Sequence, residues 1–302
     1  MINNSTSTLA PIVLFVYNRP WHTQQTIEAL QKNELATESE LFIFSDAAKN
    51  DSAIEKVKEV RHYIKSIDGF KRITIIEREK NWGLANSIID GVTKIVNEYG
   101  KIIVLEDDLI TSPYFLKFMN EALNFYQNEE KVACIHGYIY PIENLPETFF
   151  IRGADCWGWA TWKRGWDIFE SDGKKLLDQL QQQNLVQEAD FNHTANYTLM
   201  LKNQITEKNN SWAVRWYISA FLNNKLCLYP GKSYVQNIGT DDSGTHCCAT
   251  DKYCIELSDK TDLVKIPSIE NIAVRRKMES FFRSLQPSMT KKILSKIKKV
   301  FM

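Results

Sequence analysis

An acidic run, Glu106-Asp107-Asp108, is the part of this 302-residue sequence best suited to chemistry. It directly follows the apolar stretch 102–105, which is typical of a buried strand. Neighbouring carboxylates repel one another, so a buried cluster is costly unless a cation lies beside it. Mg²⁺ or Mn²⁺ often binds through one or two carboxylates together with substrate phosphates. The run therefore predicts a divalent-metal site, and the alternative is a solvated acidic turn.

The direction of the three acidic side chains can also be predicted. Along an extended backbone, successive side chains alternate between two sides. Glu106 and Asp108 would then point to one side and Asp107 to the other. This interpretation depends on the strand continuing through the run.

Other polar side chains follow the neighbouring predicted strands. Arg19 comes just after the first strand and Asp46 after the second. Because ligands bind beyond the carboxyl ends of parallel strands, we expect these side chains to converge at one edge. Arg19 could meet a pyrophosphate through its planar fork, or be an ordinary surface cation. Asp46 could accept a hydrogen bond from a ribose or a base, or simply cap the next helix.

The elements that would position these side chains alternate strand and helix over the first 135 residues. Such alternation predicts a mainly parallel sheet covered by helices on both faces. The predicted strands are 11–17, 41–45, 73–77, 102–105 and 132–135, and the predicted helices are 21–32, 52–67, 84–96 and 113–128.

The rest of the chain divides by composition. Residues 136–265 alternate less regularly and are rich in Trp, Asn and Gly, without a repeat or a low-complexity linker. We interpret 10–270 as one domain, with a ligand-binding half, 10–135, and a second half, 136–270. A polar tail, 1–9, precedes it and a basic tail, 271–302, follows it.

Charge is distributed unevenly along the chain. The 37 basic and 37 acidic residues cancel overall, but the last 28 residues hold nine Lys or Arg and one acid, Glu279. This leaves 28 basic and 36 acidic residues in 1–274. The basic tail is therefore predicted to have a partner of its own.

The tail also has an amphipathic pattern. As a helix, 289–302 would place its large apolar residues on one side and its five lysines on the other. This is typical of a helix lying in an anionic membrane surface, and the alternative is a helix packed on the body or on a protein partner. With no run of about 20 apolar residues and no signal peptide, we expect a cytoplasmic protein, peripheral at the inner face of the cytoplasmic membrane. We expect no nucleic-acid partner.

Several common catalytic motifs are absent from the sequence. It has no G-x-G-x-x-G after the first strand and no G-x-x-x-x-G-K-[ST], which argues against dinucleotide-dependent dehydrogenases and P-loop NTPases. It also lacks G-x-S-x-G and H-E-x-x-H, which weakens hydrolase interpretations.

Six segments across 10–250 resemble a known family. They are Pro11–Pro20, Phe44–Asp46, Asn81–Gly91, Val104–Pro113, Trp157–Trp162 and Tyr229–Cys247. Those of the first half resemble the nucleotide-binding half of GT-A glycosyltransferases, as in N-acetylglucosaminyltransferase I-type enzymes and bacterial surface-polysaccharide glycosyltransferases. Those of the second half resemble the acceptor side of the bacterial enzymes. The resemblance implies an α/β GT-A (Rossmann-like) fold with a mixed, mainly parallel sheet flanked by helices, to which the tail adds a C-terminal amphipathic helix.

The resemblance also implies roles for individual residues. Asp108 matches a ligand for Mn²⁺ or Mg²⁺ held against the donor diphosphate, and His246 matches a late histidine that reaches the diphosphate or the metal. Glu106 and Asp107 match residues that meet the ribose and the donor sugar. The remaining residues matched to the donor, whose base is usually uracil, are Asn18, Arg19, Asp46, Asn81 and Asn86.

The general base is less clear from the sequence. The animal enzymes carry it in a Trp-Asp-Asp-Trp-like segment, but the corresponding stretch, 211–216, has no acid. Asp155 and Asp241 are the candidates, and either could be only a turn residue. Trp157 and Trp159 could stack against an acceptor sugar, or be buried in the core.

The resemblance implies a metal-dependent glycosyltransferase. It would move a sugar from a nucleotide-sugar donor, expected to be a UDP-sugar, to a glycan acceptor in surface polysaccharide (O-antigen or capsule) synthesis. The acceptor is expected to be lipid-linked and the reaction to be inverting. The alternatives are a nucleotidyltransferase and a non-catalytic carbohydrate-binding protein. A nucleotidyltransferase usually has a Gly-rich loop with Lys or Arg after the first strand, and Asn18-Arg19-Pro20 is not such a loop.

Overall fold

The first half of the chain alternates strands and helices. The computed structural model describes residues 8–239, 241 and 252–286. Each strand and helix predicted in the first 135 residues is confirmed, with ends shifted by a few residues. The elements are β1 (Ile12–Val16), α1 (Pro20–Gln31), β2 (Glu40–Ser45), α2 (Ile54–Ile64), β3 (Arg72–Glu77), α3 (Leu84–Tyr99), β4 (Lys101–Glu106), β5 (Leu109–Thr111), α4 (Phe115–Phe125) and β6 (Val132–His136).

The second half is richer in short helices. It contributes three strands to the main sheet and one to a small second sheet. Its elements are β7 (Thr148–Arg152), β8 (Trp159–Trp162), α5 (Lys163–Trp166), α6 (Gly173–Gln182), α7 (Val186–Ala189), α8 (Tyr197–Ile205), α9 (Trp212–Leu222), β9 (Leu226–Pro230), β10 (Val235–Asn237) and α10 (Ile272–Leu285).

The main sheet has eight strands in the order β3-β2-β1-β4-β8-β6-β9-β7. Its first four strands are parallel. The antiparallel strand β8 lies between β4 and β6, and β7 pairs antiparallel with β9 at the edge. This confirms the predicted α/β fold with a mixed, mainly parallel sheet. The second half completes the sheet rather than forming a separate layer.

Two hydrophobic cores lie on opposite faces of the sheet. Alternate residues of β1 show the division, since Val13 and Phe15 belong to one core and Ile12 and Leu14 to the other. A strand whose side chains are buried on both faces has a continuous apolar sequence. For this reason the apolar runs of β1 and β4 were strong signals for buried strands.

Helix α10 lies within 271–302, the segment that the sequence assigns to a basic tail. Its inner residues Val274, Met278 and Phe282 are buried in one of the two cores. The amphipathic segment 289–302 lies outside the described residues, so its helix stays a prediction, as does the domain boundary near residue 270. None of the described helices has the length and apolar character needed to span a bilayer.

Candidate active site

The acidic run lies at a sharp change of direction. Strand β4 ends at Glu106, and Asp107 and Asp108 form the turn into β5. The backbone of this turn is fixed from α1, because the Thr26 hydroxyl donates to the carbonyl of Asp107 at 2.9 Å and accepts from the Leu109 N–H at 3.1 Å. The turn therefore lies at the carboxyl ends of the parallel strands, where ligands of such sheets bind.

Arg19 is the counter-charge of the turn. Its guanidinium forms an ion pair with Asp107 and a second one, at 2.9 Å, with Asp108. The predicted alternation, with the two aspartates on opposite sides, is therefore wrong. The strand does not continue through the run, and the turn brings both carboxylates to one cation.

Burial and crowding of charge shift the pKa values of these groups. Burial, helped by the charges of Asp108 and Asp107, raises the pKa of Glu106 to about 8. Burial also raises the pKa of Asp107, against the opposing effect of Arg19. Burial disfavours the charged form of Arg19, but the two aspartates outweigh it and raise its pKa. The site thus holds a charged arginine beside two carboxyl groups, those of Glu106 and Asp107, whose pKa values are raised.

The segment 237–239 covers this ion pair. Strand β10 pairs with β5, and the Ile238 N–H donates to the carbonyl of Asp108 at 2.8 Å. A Cβ on Gly239 would lie 2.1 Å from Asp108 Oδ2 and 3.0 Å from Arg19 Nη1, so a side chain fits there only if the Asp108 carboxylate moves. Sequence reasoning missed Gly239, because its importance depends on a strand pairing that brings distant residues together.

Asp46 organises a second part of the site. Its carboxylate accepts hydrogen bonds from the N–H groups of Trp82 and Gly83, at 2.9 and 2.8 Å, and from the Asn81 side chain at 3.0 Å. The Ala47 N–H also donates to it at 2.9 Å. These four donors match the roughly four acceptor positions of a carboxylate. Asp46 therefore holds the turn before α3, and its predicted contact with the base stays a prediction.

The other two asparagines matched to the donor are Asn18 and Asn86, and both lie at this edge of the sheet. The Asn86 side chain donates to the carbonyl of Trp82 at 2.9 Å, which stabilises the same turn. Asn18 is partly buried and directly precedes Arg19. The structure brings both residues to the edge that carries Arg19 and Asp46.

Arg78 was not singled out from the sequence. Its guanidinium lies 3.9 Å from the centroid of the Trp82 ring and forms an ion pair with Asp90. Arg61 donates to the carbonyl of Arg78 at 2.8 Å. A stacked arginine leaves no periodic signal in a sequence, because its partner is chosen by the fold of the turn.

Asp155 lies in an aromatic pocket next to the acidic turn. Its carboxylate accepts from the Cys156 N–H at 2.8 Å and from the Tyr229 hydroxyl at 3.1 Å. Burial raises the pKa of the Cys156 thiol, with further contributions from the charges of Asp155 and Glu106. The charge of Asp155 also adds to burial in raising the pKa of Tyr138 and Tyr197. The pocket and the acidic turn are therefore close enough to influence each other.

His136 supports this pocket as a neutral side chain. The Trp157 N–H donates to its Nε2 atom at 3.1 Å, so Nε2 carries a lone pair and not a proton. Burial lowers the pKa of His136, although the charge of Asp155 opposes this effect. The 3.7 Å approach of Asp155 to Nε2 is therefore not an ion pair.

The second candidate base, Asp241, comes two residues after Gly239, which lies against the acidic turn. Its carboxylate is 3.1 Å from Nε2 of His22, which follows Arg19 closely in the chain. The Asp241 side chain is 45% exposed, against 20% for Asp155. Both candidates thus lie near the acidic turn, Asp155 in a pocket and Asp241 at the surface.

The two candidate acceptor tryptophans differ. Trp157 is partly buried and packs edge-on against Tyr138 at a centroid distance of 4.7 Å. Trp159 is fully buried and packs against Trp166, Trp212 and Trp216. Its ring faces are covered by other rings, which corrects the expectation that Trp159 stacks on an acceptor.

The residues of the turn suit a hard divalent cation. Carboxylate oxygens are the ligands that Mg²⁺ and Mn²⁺ prefer. Arg19 Nη1 is buried and has no hydrogen-bond partner among the described residues, which leaves a donor for an anion such as a phosphate. His246 lies outside the described residues, and the described residues hold no group of three or more His, Cys, Asp or Glu arranged for a metal. A cation would therefore bind through Asp108 together with donor phosphates.

Comparison with known proteins identifies the family. Residues 12–168, just over half of the chain, match the model of "Glycosyl transferase family 2". The chain belongs to glycosyl transferase family 2. This glycosyltransferase carries Arg19, Asp46, the acidic turn and Asp155 inside the matched region. The match confirms the resemblance that the sequence motifs indicated. No curated protein matches the chain.

Solved structures show more distant likenesses. S. aureus TarS 1–349 is 12% identical, with a TM-score of 0.41 over 78% of this chain and 61% of that chain. A complex of the same TarS segment with UDP-GlcNAc is also 12% identical, with a TM-score of 0.40 over 75% of this chain and 57% of that chain. The Pyrobaculum calidifontis mannosyltransferase PcManGT in complex with GDP-Man and Mn²⁺ is 10% identical, with a TM-score of 0.31 over 43% of this chain and 35% of that chain. The chain thus spans less than two thirds of the length of each.

Proposed function

We propose that this glycosyltransferase moves a sugar from a UDP-sugar to a lipid-linked glycan acceptor, with inversion, in the synthesis of a surface polysaccharide. The observation that carries the donor proposal is the acidic turn held by Arg19, whose buried Nη1 atom lacks a partner among the described residues. An arginine fork beside a carboxylate cluster suits a diphosphate with its cation.

Each residue of the turn has a role in this proposal. Asp108 would hold Mn²⁺ or Mg²⁺, which when bound neutralises charge on the departing diphosphate. Arg19 would turn its free Nη1 donor to a diphosphate oxygen and stabilise the same developing charge. Glu106 would form a hydrogen bond with a hydroxyl of the sugar donor, and Asp107 would orient Arg19. The Asp46 turn would border the base through Asn81.

Asp155 is the proposed general base. An inverting transfer needs a group that accepts the proton of the acceptor hydroxyl. Asp155 lies in a half-buried aromatic pocket beside the turn, with Trp157 at its side, and aromatic walls suit the faces of sugars. Asp241 is the alternative base, and its contact with His22 would have to open first.

Calorimetry with UDP, with and without Mn²⁺, tests the donor proposal. We expect UDP binding that strengthens when Mn²⁺ is present, and Asp108→Ala should remove this effect without changing the unfolding midpoint. Asp178→Ala, at an exposed carboxylate of α6, is the matched control. Metal-independent UDP binding, or a metal effect that survives in Asp108→Ala, would contradict the assignment.

We base two parts of the proposal, the lipid-linked acceptor and the location at the inner face of the cytoplasmic membrane, on the sequence of 289–302. Its lysines and apolar residues fit an anionic membrane surface. Transfer from a radiolabelled UDP-sugar to a membrane extract, compared with the same extract after removal of lipids, tests this part. Equal transfer to the lipid-free fraction would count against a lipid-linked acceptor.

A further inference from the structure

The outer side of α10 carries positive charge alone. Seven of its residues are exposed, at the spacings of three and four that place residues on one helix face. Three of these residues are cations and none is an acid. The outer face consists of Ile272, Ala273, Arg276, Lys277, Ser280, Arg283 and Ser284.

The acids of this region are turned inward. Arg275 pairs with Glu270 at 3.0 Å and with Glu279 at 3.5 Å, and all three side chains are at most 16% exposed. This inner network removes both acids from the surface. The cations of the outer face therefore have no neighbouring acid on the helix, and their field extends into solvent.

An open cleft lies beside this face. It has a volume of about 470 Å³ and is lined by Ile142, Glu143, Arg276, Lys277 and Phe281, among others. The Lys277 ammonium donates to the carbonyl groups of Glu143 and Asn144, at 3.1 and 2.7 Å, and so fixes the cleft wall. Cations next to apolar side chains match the chemistry of a phospholipid headgroup better than that of a sugar. Among the described residues, Glu143 contributes the only carboxylate of the lining.

We propose that the outer face of α10 docks on a bilayer surface that contains anionic phospholipids, with a headgroup phosphate at the Arg276 side of the cleft. Each basic side chain near such a surface adds to binding. Ile269 and Ile272, 71% and 51% exposed, add apolar side chains that can enter the interface. Nucleic acid would use the cations but not these isoleucines, which favours the bilayer.

Docking through α10 would also place the active site. A series of ring contacts runs from Phe281 to Tyr140 at 5.3 Å, to Tyr138 at 5.5 Å and to Trp157 at 4.7 Å. It joins the docking face to the pocket of Asp155. Where the proposed lipid-linked acceptor is correct, docking would hold its sugar on the side of the molecule to which these packed rings lead. The docking itself does not depend on the donor or the acceptor.

Vesicle flotation of the full chain tests the docking face. The variant Arg276→Gln/Arg283→Gln removes two exposed cations and keeps Lys277, which holds the cleft wall. We expect it to bind phosphatidylglycerol-containing vesicles roughly 30-fold more weakly than the wild type, from the known attraction per cation. The matched control, Lys56→Gln/Lys58→Gln, removes two exposed cations from α2 and should bind as the wild type does.

Each outcome decides the proposal. Unchanged unfolding and unchanged UDP binding would show that the variant is folded, and lost flotation would then support docking through α10. Wild-type flotation of the α10 variant would overturn the proposal and leave 289–302 as the membrane contact. An equal loss in the α2 control, equal binding to phosphatidylcholine vesicles, or equally tight wild-type binding to double-stranded DNA would also overturn it. Failure here would leave metal-dependent UDP binding untouched, so the two proposals fail separately.

Discussion

Arg19 is the residue with which a cation would compete for Asp108 and to which a diphosphate would bind. Its guanidinium already bonds both aspartates of the turn, and these carboxylates include the proposed metal ligand. A divalent cation must therefore displace part of an ion pair before it binds Asp108. A diphosphate would take up the released guanidinium and remove that cost. Metal and nucleotide should consequently strengthen each other's binding.

Arg19→Gln tests this coupling at the residue scale. Without the guanidinium, we expect Mn²⁺ alone to bind about tenfold more tightly, since a charged hydrogen bond no longer has to be broken. Binding of UDP with Mn²⁺ should become about tenfold weaker or more, because a phosphate contact is lost. Calorimetry measures both. Arg72→Gln is the control, because it breaks an ion pair with Glu40 at the starts of β2 and β3, the opposite end of the sheet from the acidic turn. If both affinities fell together in Arg19→Gln, competition would be refuted.

Gly239 gives a second prediction at this scale. A Cβ there would lie 2.1 Å from Asp108 Oδ2, so Gly239→Ala should displace the carboxylate and abolish the metal dependence of UDP binding. Gly100→Ala is the contrasting control, because its Cβ would meet nothing within 4 Å but its φ of +77° strains any other residue. We expect Gly100→Ala to lose about 1 kcal/mol of unfolding free energy and keep UDP binding. Calorimetry and urea unfolding separate the two effects, and normal metal dependence in Gly239→Ala would contradict the contact.

At the scale of elements, the strands and helices that could be predicted from the sequence were those with a clear local pattern of apolar residues. The apolar run before Glu106 and the helix-period segments specified β4, α1 and α3 without knowledge of their partners. The strand pair β5–β10 could not be predicted in this way, because each strand has three residues and each depends on the other for its hydrogen bonds. The same pair forces the acidic run into a turn. The alternation rule therefore failed at the residues where a short distant strand decides the backbone.

Trp159 lies in strand β8 and Trp157 lies just before it, so two tryptophans with the same predicted role have different surroundings. Trp159→Ala should cost about 3–5 kcal/mol of unfolding free energy, because its fully buried ring packs against three other tryptophans. Trp157→Ala, at a partly buried ring beside Asp155, should cost less and instead raise KM for the acceptor. Urea unfolding and steady-state kinetics distinguish the two. A loss of stability in Trp157→Ala equal to that in Trp159→Ala would assign both rings to the core.

At the scale of the molecule, the order of strands lay beyond local pattern. The parallel strands β3, β2, β1 and β4 follow from short strand–helix alternation, since each crossover needs a helix. The antiparallel β8 enters between β4 and β6, which are 25 residues apart in sequence, and no composition signal marks this insertion. Asp155, in the segment just before β8, is brought beside the acidic turn by that insertion. The residues of the nucleotide half could therefore be predicted from motifs, while the choice between the two candidate bases needed the sheet order.

His136 links the insertion of β8 to the stability of the whole chain. It ends β6, and its Nε2 atom accepts from Trp157 in the segment before β8. Burial lowers its pKa from the ordinary 6.5, so the folded state resists the proton that the unfolded state accepts. The stability associated with neutral His136 is thus complete above about pH 6.5 and is lost as the pH falls below that value. Between about pH 7.5 and 5.5 we therefore expect this group to lower the free energy of unfolding as the pH falls.

The variant His136→Asn keeps an acceptor for the Trp157 N–H but does not titrate, so its unfolding free energy should depend less on pH over this range. His62→Asn, at an exposed histidine of α2, should keep the wild-type dependence. Urea unfolding at both pH values measures the three proteins. His136→Asn can be less stable than the wild type at neutral pH, because the prediction concerns how steeply the unfolding free energy changes with pH and not its absolute value. A wild-type slope in His136→Asn would mean that His136 takes up its proton equally readily in the folded and unfolded states, and burial would then not be lowering its pKa.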